Sequence, residues 1–251
     1  MPGPTSSAAL RLLCILVFAA FACSAQETKH WNLPRFTADP KAIQDAVSTV
    51  TIKKGTEVVV LYEEKSFTFD SDGKSVQTLY RVYKILSQNG VEGWDSSSVE
   101  WEPWHEVKPS LNARVIAPDG VSHSLDQKSI TDSPASDGGD DTYGDRRIVR
   151  APLPAVGPGS IIEEEEIVKE SAPLYAEGTV EHCGFGKGVP VQETRLILDY
   201  PAALPVQYHV QLLPDLKQER SEQNGRVRIE FIQGQWNQLR QQTATCWLIP
   251  R

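Results

Sequence analysis

The chain has 251 residues, of which 40% are hydrophobic, and its formal net charge is -8 at pH 7. A chain of this length and composition can bury one sizeable core or two small ones. The acidic balance leaves no basic surface of the kind that nucleic acids bind, so the composition excludes a nucleic-acid-binding protein.

The first 25 residues have the layout of a secretory signal peptide. One cation, Arg11, precedes an uncharged apolar run that begins at Leu12, and small residues follow this run. The run is too short to span a bilayer comfortably. We expect cleavage after Ala25 and a mature protein that is periplasmic or secreted. Lipoprotein processing at Cys23 is the alternative, and it would attach the protein to a membrane.

Residues 26–55 are expected to form a short helix and a linker. Asp39 can cap a helix, and Pro40 suits the first turn of one. The apolar residues that follow recur on one helical face: Ala42, Ile43, Ala46 and Val47.

Residues 56–251 read as a single β domain. The segments "VRIEF" and "VQYHVQL" alternate apolar and polar side chains, as half-buried strands do. The segment "EVVVLY" is a continuous apolar run that suits a strand buried on both faces. These patterns predict at least three strands with different exposures.

Four dipeptides that accept a positive φ angle divide the strand-like segments and suit tight hairpins: Asp72-Gly73, Asn89-Gly90, Asp119-Gly120 and Asn224-Gly225. Strands separated by such turns, with almost no helix, predict an all-β fold. We expect an antiparallel β-sandwich of two packed sheets, with a short N-terminal helix after the signal peptide.

Four consecutive glutamates, at positions 163–166, interrupt one apolar segment. In a strand, Glu163 and Glu165 face one side while Glu164 and Glu166 face the other. Because buried charges without partners cost several kcal/mol each, we expect an exposed edge strand that blocks association with other sheets. A calcium site is the alternative. Neighbours on one strand cannot flank a sugar as a pair of glycosidase acids must.

Five aspartates lie in or beside the glycine-rich stretch "DSPASDGGDDTYGD", which we expect to be a solvated surface loop: Asp132, Asp137, Asp140, Asp141 and Asp145. Their spacing does not match an EF-hand. Calcium binding by this loop stays open.

After removal of the leader, Cys183 and Cys246 are the remaining cysteines. They could form a disulfide in an oxidising compartment, and the sequence does not decide this. His182 is adjacent to Cys183, but neighbours in an extended segment point to opposite faces, so this histidine cannot serve as the base of that thiol. We predict no catalytic residue, no metal site and no cofactor.

Three tryptophans lie close together in "GWDSSSVEWEPWHEV": Trp94, Trp101 and Trp104. Tryptophans near a sheet commonly belong to a core or an interface. An exposed platform that stacks on sugar rings is the sharper alternative, and these three residues are the candidate ligand-binding residues.

The order of three stretches is specific: "VVVLYEEKSFTFDSDGKSVQTLYRVYKIL", "LNARVIAPDGVSHSLDQKSITD" and "APLPAVGPGSIIEEEEI". Over residues 56–249 this order resembles domain of unknown function 3857. The resemblance implies a β-sandwich without known catalytic residues, placed ahead of a bacterial transglutaminase-like domain of the cysteine-protease type. Two departures stand out. Glu164 and Glu166 occupy positions that are aromatic in the family, and the chain ends at "CWLIPR" where the family normally continues.

These observations lead to two functional hypotheses. The first is an exported, non-catalytic module, without the transglutaminase-like domain, that packs against or presents substrate to a transglutaminase-like or protease-like partner. The second is an independent sandwich that binds carbohydrate or cell-wall fragments through Trp94, Trp101 or Trp104.

Overall fold

The computed structural model describes residues 34–135, 144–175, 180–185, 188–210, 216–235 and 242–246. In these residues the chain forms thirteen β-strands and two α-helices, which confirms the all-β class. Within the same residues, no helix is long and apolar enough to cross a membrane.

Helix α1 spans Pro40–Ser48 and helix α2 spans Gln88–Trp94. The strands are β1 (Val58–Phe69), β2 (Ser75–Ile85), β3 (Ser96–Trp101), β4 (Glu106–Ile116), β5 (Ser122–Ser124), β6 (Thr131–Pro134), β7 (Arg147–Pro152), β8 (Ile161–Glu170), β9 (Glu181–Phe185), β10 (Thr194–Pro201), β11 (Lys217–Gln223), β12 (Arg226–Gln233) and β13 (Gln242–Cys246).

Eight of these strands form one large sheet in the order β11-β12-β10-β1-β2-β8-β4-β5. Neighbours in this sheet are antiparallel, except that β1 and β10 run parallel. A parallel pair needs a long connection, and most of the domain lies between these two strands. Strands β3, β7 and β6 form a second, antiparallel sheet, and β9 pairs with β13.

Helix α1 covers one face of the large sheet. Asp39 caps it by accepting a hydrogen bond from the backbone N–H of Ala42 at 3.0 Å, and Pro40 stands in the first turn. Ile43 and Val47 are buried in a cluster with side chains of the central strands. The predicted helix is therefore confirmed, and it packs as part of the domain.

The three-stranded sheet packs against the opposite face of the large sheet. Val58 and Val60 share a buried cluster with Val149 of strand β7. Val59 and Leu61 belong instead to the cluster beneath helix α1. The apolar run of strand β1 is thus buried on both faces, as its sequence predicts.

Three of the four predicted turns are confirmed. The dipeptides Asp72-Gly73, Asp119-Gly120 and Asn224-Gly225 connect consecutive antiparallel strands, and each contains at least one residue with positive φ.

The turn predicted at Asn89-Gly90 is wrong, because both residues lie in helix α2. Ser87 caps this helix by accepting a hydrogen bond from the backbone N–H of Gly90 at 3.1 Å. A Cβ atom on Gly90 would lie 2.5 Å from the carbonyl oxygen of Glu57. The glycine therefore allows the helix to approach the start of strand β1 closely, and it makes no turn.

The two alternating segments have different outcomes. "VRIEF" forms strand β12, with Val227, Ile229 and Phe231 buried. Residues 206–210 of "VQYHVQL" alternate in burial as predicted but form no strand. Their partly buried side chains pack on the core beneath β10 and β12. The alternation in the sequence therefore predicted correctly which side chains face the core. It did not predict correctly that the segment forms a hydrogen-bonded strand.

Candidate functional site

The four glutamates lie in the interior of the large sheet. Strand β8, which carries them, pairs with β2 on one side and with β4 on the other. Glu163, Glu164 and Glu166 are 1%, 2% and 8% exposed. The expectation of an exposed edge strand is therefore wrong. It assumed that the charges have no partners, whereas arginines lie opposite two of them.

On the face beneath helix α1, Glu163 is directly opposite Arg114 of strand β4, and the two side chains form an ion pair. The Tyr80 hydroxyl donates a hydrogen bond to the same carboxylate at 2.9 Å. Arg114 also donates to the carbonyl oxygen of Ala38 at 3.0 Å, just before the helix. The buried charge therefore has a full set of partners and links the helix to the sheet.

The same face carries a second ion-paired group. Arg35 pairs with Glu165 and donates to a Glu64 carboxylate oxygen at 3.0 Å. Its guanidinium carbon lies 5.1 Å from the centre of the Tyr80 ring. The Tyr62 hydroxyl donates to Glu64 at 2.6 Å. Arg35 thus joins strands β1 and β8 across the intervening strand β2.

On the face toward the three-stranded sheet, Arg81 is directly opposite Glu164 and forms ion pairs with both Glu164 and Glu166. The Tyr83 hydroxyl donates to Glu164 at 3.4 Å. The Ser97 hydroxyl donates to Glu166 at 3.3 Å, from strand β3 of the small sheet. This cluster therefore joins the two sheets through polar contacts.

Arg81 is surrounded by negative charge. Burial on its own lowers the pKa of this guanidinium, but the carboxylates of Glu164, Glu166 and Glu63 outweigh burial and raise its pKa. Arg81 therefore stays charged, and it is the group that compensates the buried acids on this face.

The tyrosines around the glutamates keep their protons. Burial raises the pKa of Tyr62, and the negative charge of Glu64 raises it further. Burial likewise raises the pKa of Tyr80, with an added contribution from Glu163, and that of Tyr83, with one from Glu164. Each hydroxyl therefore acts as a hydrogen-bond donor to its carboxylate.

The arrangement is suited to holding strands together. Its carboxylates are engaged by guanidinium groups and hydroxyls, and the two sets lie on opposite faces of the sheet. Two carboxylates separated by a sheet cannot flank one substrate. In the part of the chain that the structure describes, no three or more His, Cys, Asp or Glu side chains are grouped so that they could hold a metal ion.

Sequence reasoning missed the arginines. Arg81 and Arg114 each have apolar or aromatic residues as immediate neighbours on both sides, within "LYRVY" and "NARVI". A lone cation in a buried strand signals a buried anion elsewhere. That signal could have been matched with the glutamates. Arg35 precedes the helix and carries no comparable pattern.

The structure does not bring the three tryptophans together on the surface. The Trp94 ring lies 4.9 Å from the Tyr83 ring, centre to centre, and packs on the core between the two sheets. Trp101 packs on the same core, with its indole nitrogen buried and without a hydrogen-bond partner in the described residues. Trp104 is 56% exposed. A platform of three exposed rings is therefore not formed, and ligand binding at Trp104 stays a prediction.

Trp104 borders a small polar cavity. Its indole N–H donates to a Glu102 carboxylate oxygen at 2.8 Å, and its ring lies 4.2 Å from the ring of His105, centre to centre. A guanidinium nitrogen of Arg146 lies 3.5 Å from a carboxylate oxygen of Glu102. The cavity has a volume of about 260 Å³, and its lining residues are Glu102, Trp104, Gly144, Asp145 and Arg146.

A protein-family model described as "Domain of Unknown Function with solved-structure structure (DUF3857)" matches residues 71–236. The chain belongs to this family. In this DUF3857 member, Glu164 and Glu166 do not leave their face of the sheet open, because Arg81 pairs with both side chains.

Among solved structures, the chain is similar to a candidate protease from Parabacteroides distasonis ATCC 8503, with a TM-score of 0.65 and 12% sequence identity. The match covers 77% of this chain and 40% of that protein. At this identity the similarity concerns the fold. No curated protein matches the chain.

Among the described residues of this DUF3857 member, Cys183 and Cys246 lie on the small β9–β13 pair. Cys183 is buried and is opposite Ala244, whereas Cys246 is opposite Glu181. The ladder therefore does not place the two cysteines opposite each other. His182 follows Glu181 in the same strand, opposite Thr245. Whether the thiols form a disulfide stays open.

The aspartates of the predicted loop are only partly described. Asp132 lies in strand β6, where Arg147 donates a hydrogen bond to its carboxylate at 2.9 Å. Asp145 is exposed. Asp137, Asp140 and Asp141 lie outside the described residues. Calcium binding by this loop is therefore untested.

Proposed function

We propose that this protein is an exported, non-catalytic β-sandwich module that packs against, or presents substrate to, a transglutaminase-like or protease-like partner domain. The observation that carries the proposal is the fold match. In the candidate protease from Parabacteroides distasonis, the matching region is 40% of a longer chain. A fold that recurs as one part of a larger protein is suited to work beside another domain.

The chemistry of the large sheet supports a scaffolding role. Its most distinctive polar groups are used to hold strands and sheets together, as the Arg81 pairs with Glu164 and Glu166 show. The Cys183 thiol is buried at 4% exposure, and buried thiols are ordinarily inert.

Site-specific photocrosslinking in the native host tests the proposal. A photoreactive amino acid at Val107 or Val121, which are both 50% exposed, would capture a partner that docks on either surface. Ser221, exposed on strand β11, provides a control position on another surface. We expect capture of an envelope protein with a transglutaminase-like or protease-like domain, followed by re-formation of the complex from purified components. Crosslinks only to unrelated proteins, in the same pattern from Ser221, would contradict the proposal.

The second candidate function is binding of carbohydrate or cell-wall fragments, and the exposed ring of Trp104 beside the polar cavity favours it. An indole face stacks on sugars while nearby carboxylate and guanidinium groups bind hydroxyls. Retention on immobilised peptidoglycan or glycan should then be lost with Trp104→Ala. Tyr175→Ala is the matched control, because Tyr175 is equally exposed but does not line the cavity. Retention should persist with this variant. Equal retention of both variants would exclude this candidate.

A further inference from the structure

Three side chains form a row across the face of the large sheet beneath helix α1. Glu64 of strand β1 is opposite Tyr80 of strand β2, and Tyr80 is opposite Glu165 of strand β8. The row therefore reads carboxylate, aromatic ring, carboxylate, and the backbones of the two outer strands are about 10 Å apart across the middle strand. The Tyr62 hydroxyl holds the Glu64 carboxylate through a 2.6 Å hydrogen bond.

A guanidinium occupies this row. Arg35 donates to Glu64 through one terminal nitrogen and to Glu165 through the other, while its guanidinium carbon lies 5.1 Å from the centre of the Tyr80 ring. A planar fork that stacks on a ring and donates from both ends uses every feature of the row. A lysine ammonium is compact and cannot reach both acids while lying over the ring.

Arg35 reaches the row from a segment that precedes helix α1, and its side chain is 31% exposed. The next residue, Phe36, has a φ of 62°, which is a strained conformation for a bulky residue. Phe36 also packs edge-on against the Tyr80 ring, with the ring centres 6.1 Å apart, and the buried Ala38 and the helix cap Asp39 hold the chain beyond it. Displacement of residues 34–36 would relieve the strain at Phe36 and break its contact with Tyr80, while helix α1 stays in place.

We propose that the row Glu64–Tyr80–Glu165 is a recognition site for the arginine side chain of a peptide segment, and that Arg35 is its built-in competitor. An incoming arginine replaces Arg35 and makes the same two ion pairs and the same ring contact. The proposal goes beyond the scaffolding role, and it can be tested with small ligands and no partner protein.

The test uses the full-length protein and its Arg35→Ala variant, with Nα-acetyl-arginine amide as the probe and Nα-acetyl-lysine amide as its matched control. Binding is followed by NMR shifts of the backbone amides of strands β1, β2 and β8. Because the competitor is removed, we expect Arg35→Ala to bind the arginine probe on the order of tenfold more tightly than the wild type. The lysine probe should bind much more weakly, and the added change Glu165→Gln should abolish the gain.

Circular dichroism and the melting temperature establish whether each variant is folded. If Arg35→Ala does not fold, Arg35→Lys, which keeps the charge without the fork, is used in the same comparison. The proposal is overturned if a folded variant shows no gain over the wild type, or if the arginine and lysine probes bind equally. It is also overturned if neither variant folds, since Arg35 would then be an indispensable part of the domain.

Discussion

Arg81 of strand β2 is directly opposite Glu164 of strand β8, and the two form an ion pair in which the side chains are 15% and 2% exposed. Isolated charges at this depth would destabilise the sheet. Together with Glu166 and Ser97 they connect the large sheet to the small one. The pair therefore explains how a strand with four acids can lie in the middle of the domain.

Replacement of Arg81 should strongly destabilise the fold. We expect Arg81→Met to lower the free energy of unfolding by about 3–5 kcal/mol, because two buried carboxylates lose their compensating charge. Urea denaturation followed by circular dichroism measures this change. Arg220→Met is the matched control: its ion pair with Glu222 is about half exposed, and the change should be within about 0.5 kcal/mol. Similar values for both variants would show that the buried pair has no special role.

The glutamates should differ according to their burial. Glu164→Gln should lower the free energy of unfolding by about 1.5–3 kcal/mol, since a buried, charged hydrogen-bond acceptor is lost. Glu165→Gln should lower the free energy of unfolding by no more than about 1 kcal/mol. Glu165 is 17% exposed, and it pairs with an arginine that is half-buried. The same denaturation measurement decides the order. A larger loss of stability with Glu165→Gln than with Glu164→Gln would contradict the prediction that the more buried carboxylate contributes more.

Stability should fall at alkaline pH. Tyr62 and Tyr80 have pKa values raised above the ordinary 10.0, so the folded state holds these protons more tightly than the unfolded state does. Their contribution is fully present below about pH 10 and is lost as the pH rises above it, by up to about 1.4 kcal/mol per pH unit for each tyrosine. Denaturation at several pH values measures the slope. Tyr80→Phe should reduce it, whereas Tyr175→Phe, at an exposed side chain, should not.

The mature protein should begin at Gln26. Mass spectrometry of the protein isolated from the cell envelope or the medium identifies its N-terminus, and the small residue Ala25 is the expected cleavage position. An acylated terminus at Cys23 would instead establish a lipoprotein. An intact Met1 on cytoplasmic protein would contradict export.

Local signals in the sequence predicted local structure well. Asp39 and Pro40 identified the start of helix α1, and three turn dipeptides identified hairpins. Where the signal was ambiguous, packing decided the outcome. Gly90 lies in helix α2, where the absence of a side chain allows close packing against the carbonyl oxygen of Glu57.

The buried ion pairs could not be predicted in the same way. Arg81 and Glu164 are far apart in sequence, and their strands are not joined by a hairpin. Only the tertiary order of strands brings them opposite each other. Without that order, the cost of burying a charge favoured an exposed strand. The same cost is also avoided when each buried charge has a partner of opposite charge, which is what the structure shows. The arginines between apolar and aromatic neighbours were the available clue.

Turnover by the purified protein tests the central claim most directly. Peptide cleavage and the release of ammonia from glutamine donors would be measured for the wild type and for Cys183→Ala and Cys246→Ala. Acyl transfer by a cysteine needs a thiolate with a histidine within hydrogen-bonding reach. Cys183 is buried, and buried thiols are ordinarily inert. We predict no activity above the buffer background. Turnover that disappears with either cysteine variant, while the fold is retained, would contradict a non-catalytic module.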